Sequence, residues 1–379
     1  MTSEPEGTRE PDLTPPRGRS LFVSCVDTFL GAATRPSLAT AVGAIVLALG
    51  QVALVAAIVT PKFVARLNPS ALMNDPMDFE AFATVVALRM KFGDGGAPGV
   101  IYTGDSVAIE ALDDVGALVA DLSDRVGSNV PFEFLATHGQ TLYQAVALLD
   151  QVPEHFRGVI VLSIGPEQMM TPLDALRSWG ESPEVAVYSP SLRDEMERWG
   201  LAPPVQTGIY FIDFGRFFVA RRAAVLRQLG APAVEPDIHY YTKHFPPWTE
   251  AQWRTNLPRA GLRLAVDRRP DMFALLERAV QQHQGRAGVQ VVLLEKPVNA
   301  RLAQAYGPSY SDYIAAATAF AERMDVPYWR LDDEAGLTPD DYHDWAHLGR
   351  PAARRRFQDA LSRYLADSVQ RIRAEGPRS

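Results

Sequence analysis

Val100-Ile101-Tyr102-Thr103-Gly104-Asp105-Ser106 is a short apolar run that ends abruptly in Gly-Asp-Ser. Behind it Ile109, Leu112, Val115, Leu118, Val119 and Leu122 recur at helical spacing. A strand that turns at once into a helix puts Ser106 at the carboxyl end of a buried strand. Open α/β sheets carry their chemistry there. A serine at that point also suits a helix cap, so its meaning depends on whether the chain supplies a base.

Working outward, the pattern repeats. Residues 131–136 read as a second strand, closed by Thr137-His138-Gly139, and Leu142, Ala145, Val146 and Leu149 form the next helical face. Residues 159–164 read as a third strand ending at Gly165-Pro166. Regular βα units then stop between about Met170 and Arg268. Within that interval residues 208–214 read as a strand and 217–229 as a basic helix. The ring-rich run from Tyr240 to Trp253 is expected to pack the interval against the core. The pattern resumes with a helix at 271–284, a strand at 289–294, a helix at 311–324 and a strand at 327–331. A last helix opens on Pro351, with Phe357, Leu361, Tyr364 and Leu365 on one face. Alternating strands and helices predict an α/β/α three-layer domain of about five parallel strands over residues 100–372, with a large insertion at about 170–268.

The N-terminal third of the chain is different. Residues 36–61 carry no formal charge, and Ala41 to Val59 holds one polar residue, Gln51. About 20 apolar residues span a bilayer, so this segment predicts one transmembrane helix. Residues 1–35 read as a polar, proline-containing tail that is disordered to about residue 19, with a short juxtamembrane helix at 20–34. Residues 62–99 read as a linker holding one helix at 79–92. Arg17, Arg19 and Arg35 precede the span, and Lys62 and Arg66 follow it. Large domains translocate largely regardless of such a weak charge bias, which places the N-terminus inside and the large domain outside.

The 379 residues are 47% hydrophobic, enough for a sizeable core, and the net charge of −8 with no basic stripe excludes a nucleic-acid partner. The single cysteine, Cys25, excludes an internal disulfide.

Serine becomes a nucleophile only when a neighbouring base takes its proton, and the base needs a third group to fix its tautomer. Asp344 and His347 lie three apart, so one helical turn would let both face Ser106. The amides of Ser106 and Gly139 are candidate oxyanion donors. His343 and His347 are four apart, a metal-pair spacing, but no third ligand stands at a fitting distance along the chain, and no metal is expected.

Gly104-Asp105-Ser106, Gly139 and Asp344-x-x-His347-Leu348-Gly349 resemble blocks I, II and V of the SGNH (GDSL-type) hydrolase superfamily, in that order and after successive strands. The single N-terminal span is further similar to membrane-tethered envelope members of the DltD and alginate-acetylation types. The resemblance implies a flavodoxin-like fold, with Ser106 as nucleophile, His347 as base, Asp344 as its orienting partner, and no cofactor. The family's third block is Gly-x-Asn-Asp, whose Asn donates to the oxyanion. This chain has Gly165-Pro166-Glu167-Gln168 there. An ionised Glu167 cannot donate, whereas Gln168 can. Gln168 is therefore expected to join the oxyanion donors, and Asp105, His138 and Glu167 are expected to line the pocket.

The expected function is a membrane-anchored acyl-ester hydrolase or O-acyltransferase in the periplasm. Its substrate would be a cell-envelope polysaccharide or related polymer, and it would work beside a membrane-bound O-acyltransferase. Glu167 keeps open a second reading, a non-catalytic scaffold with the same fold.

Overall fold

The computed structural model describes residues 38–93, 99–227, 234–263 and 269–375. The predicted polar tail and juxtamembrane helix lie outside them. The chain divides into two units, Met1–Ala57 and Ile58–Ser379.

In the first unit, the helix Leu38–Ile58 runs for 21 residues with no buried side chain. It is long and apolar enough to cross a membrane. Ile45, Val46, Leu47, Leu49 and Leu54 are all exposed, as a helix without a polar face requires if its solvent is lipid.

The second unit is built on five parallel strands: β1 (Gly99–Thr103), β2 (Phe132–Phe134), β3 (Gly158–Ile164), β4 (Val289–Glu295) and β5 (Tyr328–Trp329). Their order is β2-β1-β3-β4-β5, the flavodoxin-like winding in which the chain reverses direction across the sheet between β1 and β3. β1 and β3 are buried along their whole length, which explains their unbroken apolar runs. Ile101, Ile160, Leu162, Val291 and Leu293 point to one face of the sheet. Val100, Tyr102, Val161, Val292 and Leu294 point to the other. The first face is covered by the helices Phe79–Phe92, Leu142–Leu149, Arg269–Gln284 and Pro308–Met324. The second is covered by Val115–Val126 and Pro351–Ala374. Across the β1–β2 pair, Tyr102 and Phe134 stack with ring centroids 5.8 Å apart.

Several sequence expectations are corrected. Of the expected linker at 62–99, the described residues 62–93 pack into the core. The helix Phe79–Phe92 buries Phe79, Ala81, Ala83, Val85, Val86 and Leu88, and its cap Asp78 pairs with Arg221 of the insertion at 2.6 Å. Its small residues let the helix lie close against the core, and small residues add little to a hydrophobic period. The helix behind Ser106 is broken into Ser106–Glu110 and Val115–Val126. The break is stabilised by Gln358, whose Oε1 accepts the backbone N–H of Asp113 and of Asp114 at 3.0 Å each, while the Asp114 carboxylate caps the second helix.

Residues 208–214 are not a strand. Asp213 accepts the N–H groups of Thr207 and Gly208, and this turn leads into a short helix, Tyr210–Asp213. The basic helix at 217–229 is two, Gly215–Ala220 and Arg222–Arg227, with residues 228 and 229 outside the described chain. Among the described residues the insertion contains helices and loops and no strand.

β1 and β3 approach each other most closely at Gly99 and Gly158. A Cβ on Gly158, whose φ is +146°, would sit 2.0 Å from the Gly99 carbonyl oxygen. Backbone cannot swing aside as a side chain can, so Gly158→Ala is expected to cost about 3 kcal/mol, the upper end of overpacking penalties. A clear fall in thermal midpoint checks this, and an unchanged midpoint would contradict the close approach.

Candidate active site

Ser106 opens the helix Ser106–Glu110 directly beyond β1, at the reversal of strand order. Asp105 holds this turn. Its Oδ1 accepts the N–H of Val107 at 3.1 Å, and its Oδ2 accepts Lys296 Nζ at 2.5 Å. Lys296 leaves the end of β4 and is buried. Burial disfavours its charge, but the Asp105 and Glu167 carboxylates outweigh this and raise its pKa. Asp105 is therefore a cap and ion-pair partner in the protein interior, not the expected pocket wall. The Lys296 stem also explains Gly165, since a Cβ there would meet Lys296 Cε at 2.3 Å.

Gln140, which the sequence did not single out, ties three loops together. Its Oε1 accepts the N–H of Gly104 at 2.8 Å, and its Nε2 donates to the Leu135 carbonyl at 2.8 Å. Its own carbonyl accepts Gln168 Nε2 at 3.1 Å. The Gln168 amide thus braces the loop after β2. One of its two N–H donors is engaged in this way, and the other is left for the expected oxyanion role. Among the described residues the backbone N–H groups of Ser106 and Gly139 have no hydrogen-bond acceptor. They remain the candidate oxyanion donors.

The third element is the loop at residues 342–348. It is not the helical turn that the Asp-x-x-His spacing predicted. An antiparallel bridge between Tyr342 and Leu348 closes it, and the His343 N–H donates to the His347 carbonyl at 3.0 Å. Asp344 Oδ1 accepts the N–H of Ala346 at 2.9 Å and of His347 at 2.8 Å, a side-chain-to-backbone turn that aspartate favours. Its Oδ2 faces His347 Nδ1 at 2.8 Å, and His347 Nε2 faces Ser106 Oγ at 2.9 Å. The three expected residues therefore meet in one hydrogen-bonded chain.

The electrostatics suit a base. Burial opposes charge on both groups of the Asp344–His347 pair, but their attraction and hydrogen bond win. The Asp344 carboxyl is lowered to about 2, and the His347 imidazole is raised above the ordinary histidine value.

The insertion supplies two contacts that sequence reasoning missed. The Tyr241 ring stacks on His347 with centroids 4.5 Å apart and planes 20° from parallel. The Tyr241 N–H donates to Glu110 Oε1 at 2.7 Å, and Glu110 lies on the Ser106 helix. Burial pushes the Glu110 carboxyl up to about 7, against the pull of His347 and the Tyr241 amide. The ring-rich run from Tyr240 to Trp253 was the available signal, but composition could not say which ring reaches the base.

The remaining expected pocket residues are placed as follows. His138 sits edge-on to Phe79 at 4.9 Å and to Tyr241 at 5.7 Å. Burial depresses its pKa to about 4, so its ring is neutral. Glu167 stands at the start of the short 3₁₀ turn Gln168–Met170 and makes no side-chain cap bond. A cavity of about 340 Å³ borders the catalytic loop, lined among others by Phe245, Trp248, Trp253, Tyr342, His343 and Arg350. His343, Asp344 and His347 each offer one metal-type donor atom within 4.8 Å of the others.

No family model matches the chain, and no curated protein matches it either.

This arrangement is one that could activate a serine. In the tautomer with its proton on Nδ1, His347 presents an Nε2 lone pair to the Ser106 hydroxyl. Protonating His347 removes that lone pair, so serine reactivity falls as pH drops through its pKa. With that pKa raised above about 6.5, the acid limb of Ser106 labelling by a fluorophosphonate is expected above pH 6.5. A limb below it would contradict the base assignment. Aromatic contacts of the Tyr241–His347 kind contribute about 0.5–1.5 kcal/mol. Tyr241→Ala is accordingly expected to slow labelling roughly 2- to 10-fold.

Proposed function

We propose that the chain is a membrane-anchored, SGNH-like serine hydrolase or O-acyltransferase whose folded domain lies on the outer, periplasmic side. It would act on acyl esters, acetyl first, of a cell-envelope polysaccharide or related polymer. The observation that carries this reading is the Ser106–His347–Asp344 chain at 2.9 and 2.8 Å.

In the proposed mechanism Ser106 Oγ attacks the ester carbonyl carbon while His347 Nε2 takes its proton. A tetrahedral oxyanion forms, facing the N–H groups of Ser106 and Gly139. His347 returns the proton to the departing alcohol oxygen, leaving an acyl ester on Ser106. Water or a sugar hydroxyl then attacks that ester, with His347 as base again, and frees Ser106. Asp344 keeps the imidazole in the productive tautomer and stabilises the imidazolium. The membrane-spanning helix would hold this chemistry next to a lipid-borne acyl donor or a membrane-bound O-acyltransferase.

The alternative, a non-catalytic scaffold that binds the polymer or the acyltransferase, is favoured by one observation: Glu167, which cannot donate when ionised, stands at the third-block position at the start of the turn Gln168–Met170. Covalent labelling of the full-length protein in detergent micelles separates the two readings. The catalytic reading expects fluorophosphonate labelling that is abolished in Ser106→Ala and slowed on the order of 10³–10⁴-fold in Asp344→Asn. Equal signal from the parent and Ser106→Ala would leave the scaffold reading standing.

A further inference from the structure

His343 is a buried side chain for which the triad has no use. It is 3% exposed, and neither ring nitrogen has a hydrogen-bond partner. A buried imidazole left unpaired is costly. Its Nε2 lies 3.6 Å from Asp344 Oδ2, and its ring lies alongside that of His347 with centroids 5.4 Å apart. The same Asp344 oxygen is 2.8 Å from His347 Nδ1. Ligands about 2.0 Å from a tetrahedral zinc ion stand roughly 3.3 Å from one another; the separations of 2.8 and 3.6 Å from Asp344 bracket that value, and all three donor atoms lie within 4.8 Å of one another, so binding requires the two imidazoles to draw together. The cavity of about 340 Å³ that borders His343 provides an approach.

We propose that His343, Asp344 and His347 form a zinc-type transition-metal site whose occupation switches the serine off. Two imidazoles and one carboxylate are a borderline, nitrogen-rich donor set that suits Zn²⁺ and not Mg²⁺ or Ca²⁺, which require oxygen ligands. Burial keeps His343 neutral and able to coordinate.

Coordination removes the base whichever nitrogen of His347 takes part. Through Nδ1, the imidazole proton moves to Nε2, which then donates to Ser106 and can no longer accept. Through Nε2, the lone pair that faces Ser106 is occupied. Coordination through Nδ1 also removes the hydrogen bond by which Asp344 orients the ring. Binding depends only on the placement of these side chains. The switching depends in addition on the serine-hydrolase reading.

The test uses tag-free, chelator-stripped full-length protein in detergent micelles, titrated with zinc sulfate by calorimetry. The expected result is one Zn²⁺ per chain in the parent and in Ser106→Ala, no response to magnesium sulfate, and affinity lowered about tenfold or more in His343→Gln. Absence of stoichiometric binding to the parent, or equal affinity in His343→Gln, overturns the site. In parallel, the ratio of fluorophosphonate labelling with and without zinc is expected to fall at least tenfold in the parent, to recover on adding a chelator, and to stay near one in His343→Gln. Full labelling of zinc-saturated parent protein overturns the switch. His343-dependent zinc binding by a parent protein that never labels upholds the site and rejects the catalytic reading.

Discussion

The 2.9 Å contact between His347 Nε2 and Ser106 Oγ joins residues 241 apart in the chain. Nothing local can hold such a contact. It exists because the sheet brings the end of β1 and the loop before the last helix to one edge. The reversal between β1 and β3 leaves an opening there that a strand-end side chain can reach. Asp105 secures one side of the contact by capping the Ser106 helix and pairing with buried Lys296. On the other side Asp344 accepts two backbone N–H groups with one oxygen and orients His347 with the second.

The loops around this contact are braced by polar side chains buried in the protein. Gln140 links the loops after β1 and β2, and Gln168 adds the loop after β3. Buried amides of this kind are costly unless satisfied, and once satisfied they hold a loop in one conformation. The brace also separates this site from the usual third-block design. One N–H of the Gln168 amide supports a neighbouring carbonyl, while the backbone N–H groups of Ser106 and Gly139 have no acceptor among the described residues. The insertion closes the site from outside by laying Tyr241 over His347 and anchoring its amide on Glu110.

Much of this was legible in the sequence. β1, β3 and β4 are buried on both faces, so they appear as unbroken apolar runs with turn residues at their ends. The helix Leu38–Ile58 was legible as a candidate membrane span because its 21 residues are uncharged and apolar, and none of them is buried. Ser106, Asp344 and His347 were legible as residue types in order along the chain. The helix Phe79–Phe92 was legible as an element, but its place in the core was not, because small residues contribute little to periodicity and much to close packing.

By itself the sequence determined the alternation of strands and helices, the apolar span and the three residues of the triad, since each follows from local pattern or residue chemistry. Only the tertiary structure decided that Asp344 and His347 act from a bridged loop and not a helical turn, that Asp105 and Gln168 face inward, and that Tyr241, Glu110 and His343 surround the base. Those assignments depend on contacts between segments more than a hundred residues apart, or on which way a side chain turns inside a loop. Neither leaves a period in the chain, and both are set by how polar side chains of separate segments meet as the sheet closes its core.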